Sequence, residues 1–250
     1  MTRRVRKIFF LLSAAALVWV FFLAYSPLAP FGYVQSKYGD MVNAITVPER
    51  HITDAVTAVN FDVRGFDTLG EEFILFTSVM GVLLLMRRQK DEPAGDHEDK
   101  AADRMIPPAS DAVRVTSLLL IAPTVLFGLY IVTHGQVTPG GGFQGGVILS
   151  TAPLLLYLCA DYRPFRRAVP QRLIEASEAF GAAAYILIGG ACVALGGLFL
   201  QNSLPLGQSG SLTSGGMVPF INLGVGLEVS GGLSLALLVY LEELLEEKEQ

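Results

Sequence analysis

An all-α polytopic membrane protein with about six transmembrane helices is the fold this sequence predicts, and three observations predict it. Hydrophobic residues make up 52% of the 250-residue chain and charged residues 16%, a balance too apolar for an ordinary soluble domain. The apolar residues fall in long blocks, each close to the roughly 20 residues that carry a helix across about 30 Å of hydrocarbon, where a helix satisfies its own backbone groups. Basic clusters recur on alternate connections between the blocks. The formal charge of −5 comes largely from an acidic tail and a polar linker, and no nucleic-acid partner is expected.

The first element opens on Arg3, Arg4, Arg6 and Lys7 and runs uninterrupted through residues 8–25. A basic start and an apolar centre also describe a signal peptide, but this run is long and bulky and no small-residue cleavage site follows it cleanly. It is therefore read as a retained first span, its basic flank placing the N-terminus in the cytoplasm. Residues 26–68, broken by Pro27, Pro30 and Pro48 and mixed in charge, are expected outside the membrane, with an amphipathic patch at 52–61. The second span, 69–86, ends on the basic run Arg87, Arg88 and Lys90.

Residues 89–112 are polar, charged in both signs and punctuated by Pro93, Pro107 and Pro108. Such a stretch buries too little apolar area to order itself and reads as a flexible cytoplasmic linker. It divides a two-helix unit, 1–88, from a four-helix domain, 113–250. The domain's apolar segments are 113–133, 143–160, 173–200 and 220–241, the third long enough to tilt or to begin in the headgroup layer. Arg163, Arg166 and Arg167 lie between its second and third spans. With six spans and both termini cytoplasmic, all three basic clusters fall inside, as the positive-inside rule requires. The tail from Glu242 to Glu247 reads as a solvated extension of the last helix. Cys159 and Cys192 lie inside apolar blocks, with no paired spacing or Cys/His cluster around them, and read as buried thiols; no metal site, cofactor site or catalytic group is expected.

An ionisable side chain at the centre of a spanning helix costs roughly 2.5–3.5 kcal/mol on insertion scales, so each one calls for a compensating reason. Glu228 shares its helix face with Gly224, Gly231 and Gly232, and Glu178 shares its face with Gly181, Tyr185 and Gly189. Glycine stripes of this kind point at a closely packed neighbouring helix. Each glutamate is a candidate for an ion or proton path, and each also suits a hydrogen bond across a helix interface. Glu71 and Glu72, at the start of the second span, equally suit the positive end of a helix dipole. His134 is a candidate proton shuttle, although a lone histidine at a helix end also serves as a hydrogen-bonding interface residue.

The glycine-dense stretch Pro139, Gly140, Gly141, Gly142, Phe143, Gln144, Gly145 and Gly146 falls on the outer side between two spans. A phosphate-binding loop would need a Gly-Lys-Ser/Thr ending, and here Val147 follows Gly146. The dinucleotide fingerprint would need a preceding soluble strand. Pro139 ends one helix and the glycines permit positive φ and close backbone approach, so the turn is shaped for contact.

The run from His134 to Ile148, HGQVTPGGGFQGGVI, followed by an apolar helix, closely resembles the signature of the MnhB (MrpB) family, the second component of the Mrp-type multisubunit sodium/proton antiporters, which related membrane arms of hydrogenase-like complexes share. The resemblance covers residues 113–241. Another run, Ala55 to Glu71, AVTAVNFDVRGFDTLGE, leads into a span and resembles the C-terminal end of the antiporters' large first component, a segment that is a separate small subunit in hydrogenase-type complexes. In that motif, which includes Asp67, Glu71 takes the acidic position and Glu72 is its neighbour. Pro139 and Phe143 match family positions implicated in antiport.

The resemblance implies a multi-pass subunit of the cell's inner (plasma) membrane that works among complex I-like pumping subunits and small membrane subunits. It implies Na+ and H+ as the transported ions, with Glu71, His134, Glu178 and Glu228 as candidates for their passage. Three classes of function are compatible with it: cation/proton antiport, redox-driven ion pumping beside an oxidoreductase, and structural support of assembly alone.

Overall fold

The computed structural model describes residues 3–28, 36–86, 109–160 and 162–247, and among these all regular structure is helical. In chain order the helices are α1 (Arg3–Tyr25), α2 (Lys37–Thr46), α3 (Ala55–Ala58), which continues into a π-helical turn (Val59–Val63), α4 (Gly65–Leu85), α5 (Asp111–Thr133), α6 (Gly142–Ala160), α7 (Tyr162–Ala168), α8 (Gln171–Ala194) and α9 (Val218–Glu247). Six of them are long and apolar enough to cross a membrane: α1, α4, α5, α6, α8 and α9. Most of the expected linker at 89–112 lies outside the described residues, as do Arg87, Arg88 and Lys90.

The chain divides into two compact units, 1–40 and 41–250. In the first, α1 presents apolar side chains on all sides, Phe10, Leu11, Val18 and Trp19 among them, and Trp19 stacks on Phe22 at 5.8 Å between ring centroids. A helix hydrophobic all round is one whose surroundings are apolar all round.

The second unit is organised around α9. Some 56% of its spanning stretch is buried, twice the 28% of α8, which makes it the central helix; α4, α5, α6 and α8 all pack against it. Small residues explain how so many helices share one partner, because lipid supplies no hydrophobic drive between helices and tight packing must do so instead. A methyl group added at Gly181 of α8 would lie 2.3 Å from the Glu228 backbone nitrogen, and one at Gly142 of α6 would lie 2.4 Å from the Asn222 carbonyl. α4, on the N-terminal side of the linker, packs with α8 and α9 inside this same unit.

Local chemistry sets several boundaries. Asp54 caps α3 by accepting from the Thr57 amide at 2.9 Å, and Ser110 caps α5 by accepting from Val113. The apolar segment at 173–200 is not a single helix: α8 stops at Ala194, and Gly196 just beyond adopts φ +87°. The chain then doubles back and seats Phe199 against Gly189, leaving no room for a Cβ there. At the other end, α9 extends as helix to Glu247, beyond the spanning stretch that ends at Leu241.

Two apolar clusters fill the second unit. One gathers Ile52, Phe61, Leu69, Tyr185, Val225 and Val229; the other gathers Val79, Phe165, Ile174, Leu235 and Leu238. On each of α4, α8 and α9 a glutamate stands between a residue of one cluster and a residue of the other.

Candidate functional site

These glutamates are Glu72 on α4, Glu178 on α8 and Glu228 on α9, respectively 2%, 3% and 1% exposed. Helical geometry brings them together. On α4, Leu69, Glu72 and Val79 share the buried face. On α8, Ile174, Glu178, Gly181 and Tyr185 do so. The α8–α9 contact is reciprocal: Gly181 lies against the backbone of Glu228, and Gly231 lies against that of Glu178, where a methyl would be 2.6 Å from the nitrogen. Ser177 Oγ adds a hydrogen bond to the Leu227 carbonyl at 3.0 Å. With the backbones pressed together, the carboxyl groups project to where α4 closes the junction. The Cβ position of Gly232 is 3.2 Å from both Glu178 Oε1 and Val79 Cγ2.

Glu72 and Glu228 stand within hydrogen-bond reach of each other, and Glu178 stands within electrostatic reach of Glu228. Among the described residues no other group donates to either oxygen of Glu72 or Glu228 or to Glu178 Oε1, so a bond between Glu72 and Glu228 needs a proton held by one of them. Among the described residues no lysine or arginine forms an ion pair with any of the three. Buried polar groups are nearly always satisfied, and an unpaired buried charge is among the costliest arrangements a protein holds. Acceptor oxygens collected without donors suit a mobile positive species, a proton or a small cation. Toward the α4 N-terminus the junction is closed by Tyr185, whose hydroxyl donates to the Gly65 carbonyl at 2.7 Å and whose ring tilts against Phe61 at 6.5 Å. The π-helical turn ends just before this point, leaving Asn60 O to accept from Thr68 Oγ1 at 2.7 Å.

The other candidates fall elsewhere. Glu71 is on the exposed side of α4, so the acid that α4 turns inward is Glu72. Asp67, in the first turn of α4, is half exposed and pairs with Arg64. His134 ends α5, stacked on Tyr130 at 4.0 Å between ring centroids, with Nδ1 3.0 Å from the Tyr130 carbonyl; these partners are those of an anchored helix end. In the glycine turn, Gly141, Gly142, Gly145 and Gly146 are buried, Gly140 is half-buried, and Pro139, Phe143 and Gln144 are exposed. Gly140 and Gly141 take φ of +156° and +127°, which an L side chain rarely adopts. The Gly142 amide donates to Asn222 Oδ1 at 2.8 Å, tying the turn to α9.

Sequence reasoning did not single out Asn222, Gln136 or Tyr185 as functional, and it set Glu72 aside as a neighbour. Glu72 lies three residues beyond Leu69 and seven before Val79, on the face that the structure buries. Gln136, completely buried, ties three connections together: Nε2 donates to the Thr133 and Leu212 carbonyls, and its backbone carbonyl accepts from the Thr53 amide.

Residues 112–235 match the model of a family described as a domain related to the MnhB subunit of the Na+/H+ antiporter. The chain is 30% identical over 135 residues to the corresponding Na+/H+ antiporter subunit of Alkalihalophilus pseudofirmus, a match covering 52% of this chain and 88% of that one. Among solved structures, a chain of the membrane-bound sulfane sulfur reductase, an archaeal respiratory membrane complex, superposes with a TM-score of 0.70 at 30% identity, over 95% of this chain and 98% of the other. A chain of the Mrp complex from Dietzia superposes with a TM-score of 0.68 at 24% identity over 95% of this chain and 26% of that one, a likeness of fold.

Proposed function

The chain belongs to the MnhB family of Na+/H+ antiporter subunits, and from that premise we propose that Glu72, Glu178 and Glu228 form part of an ion or proton passage in the complex it helps to assemble. It is a multi-pass membrane subunit of a Na+/H+ antiporter complex in a prokaryotic plasma membrane, working among other membrane subunits. The exchanged ions are Na+ and H+, and the partners include complex I-like pumping subunits. Residues 1–88 correspond to the C-terminal end of the antiporters' large first component, joined through 89–112 to the MnhB-like domain 113–250, and both termini face the cytoplasm. Glu71, Asp67, Pro139 and Phe143, exposed in this chain, face neighbouring subunits.

One observation carries the reading: among the described residues, five buried carboxyl oxygens on three helices that meet have no donor other than a proton shared between the acids themselves. A purely structural role has no use for so costly a cluster, since apolar residues would pack the same junction better. A positive species passing between Glu72 and Glu228 would supply the missing partner, and Glu178 would receive it next. The test is Glu228→Gln in the assembled complex, with antiport followed in inverted vesicles. Antiport falls at least tenfold while the complex forms normally. Full antiport would refute the passage, and loss of the complex itself would favour a structural role.

A redox-driven module is the second reading, favoured by the near-complete coverage of the chain from the sulfane sulfur reductase complex. The polypeptide composition of the purified complex separates the two, because oxidoreductase subunits copurify in one case and not in the other. In both, this chain moves ions and performs no redox chemistry of its own.

A further inference from the structure

We propose that the surface where α6, α7, α8 and α9 meet is a binding site for one anionic phospholipid, with its phosphate on Arg166 and Arg172 and an acyl chain in the crevice between α6, α8 and α9. The crevice, about 330 Å³, is lined by Leu149 and Pro153 of α6, Leu173, Ile174 and Ser177 of α8, and Ser230 of α9, among others. Two of its three serine hydroxyls are already engaged: Ser177 and Ser230 both donate to the Leu227 carbonyl, at 3.0 and 3.2 Å. The wall they leave is suited to hydrocarbon. A single turn of a helix with its side chains, about 10–12 Å across and about 5.4 Å long, exceeds this volume, so a flexible chain fits where a neighbouring helix does not.

Pro170 also lines a second hollow, of about 520 Å³, with Arg166, Gln171, Arg172 and Glu175. Gln171 fixes its geometry, accepting from Arg166 Nη2 at 2.9 Å and donating to Glu175 Oε1 at 2.8 Å. The lining carries two arginines and one glutamate, and Arg167 is exposed beside it. Because α6 and α8 are spans and α7 joins them, the hollow sits at headgroup level with the crevice running inward along the spans. An anionic phospholipid matches both halves at once, and basic hollows between spanning helices are where such headgroups bind. The acyl chain would cover the side of the α8–α9 contact formed by Ile174 and Gly231, against which Glu178 is packed.

The test uses the assembled complex in two ways. A photoreactive residue in place of Leu173, which is exposed and lines the crevice, labels a phospholipid on illumination in native membranes; labelling of a neighbouring polypeptide would overturn the proposal. Lipid retained through detergent purification, quantified by mass spectrometry, is enriched in anionic over zwitterionic species in the wild type, and Arg166→Gln/Arg172→Gln lowers the anionic lipid by one molecule per chain. Equal retention in the two, or no preference for anionic lipid, would overturn it. If the double variant does not assemble, the crosslink from Leu173 decides alone.

Discussion

The glycine turn before α6 and the acid junction of α4, α8 and α9 use the same packing device to opposite ends. At both, a glycine lets another element touch the backbone of α9, Gly142 at Asn222 and Gly181 at Glu228. At the turn the contact pairs the backbone amides, that of Gly142 with Asn222 Oδ1 and that of Gly141 with the Ile131 carbonyl, although Asn222 Nδ2 has no partner among the described residues. At the junction it ends in carboxyl oxygens that have no donor. Close approach is therefore a matter of stability at both places, and the residue carried on the contact decides whether chemistry is added.

Substitutions should separate these two roles, and the largest effect is common to both. Gly181→Val places a side chain against the Glu228 backbone, where no flexible group can yield. Overpacking of this kind costs about 1–3 kcal/mol or more, so the chain fails to accumulate in the complex and antiport disappears with it, as immunoblotting and vesicle transport would show. Asn222→Ala comes next. It strands the buried Gly142 amide at a cost of about 1–3 kcal/mol, lowering the thermal midpoint of the complex while antiport per assembled complex stays within twofold. A tenfold loss of antiport there would move the turn into the ion path and break the distinction. Asp67→Asn should do least, because its partner Arg64 and Asp67 itself are both half exposed and such pairs are worth about 0–1 kcal/mol; the thermal midpoint does not change measurably.

The spans were legible because bilayer thickness imposes a length on apolar blocks that composition alone reveals. Glu178 and Glu228 were legible because glycines at three- and four-residue spacing marked the faces they share. Glu72 was not, and the reason is physical: α4 is apolar around most of its circumference, so no polar stripe distinguishes its inner face, and Glu71 and Glu72 differ by one step of about 100°. Burial against Leu69 and Val79 resolves that step. The break of α8 at Ala194 was hidden for a related reason, since Leu195, Leu198 and Phe199 keep the sequence apolar while Gly196 turns the chain. The hydrogen bonds of Gln136 Nε2 and Asn222 Oδ1 depend on partners 76 and 80 residues away, beyond any local pattern.

The claim that the buried acids, and not merely the acidic motif at the start of α4, serve the passage is tested most directly by comparing Glu72→Gln with Glu71→Gln in the assembled complex. Sodium-dependent proton exchange in inverted vesicles, normalised to the amount of complex, falls at least tenfold for Glu72→Gln and by a smaller factor for Glu71→Gln. Full exchange in Glu72→Gln with normal assembly would contradict the account.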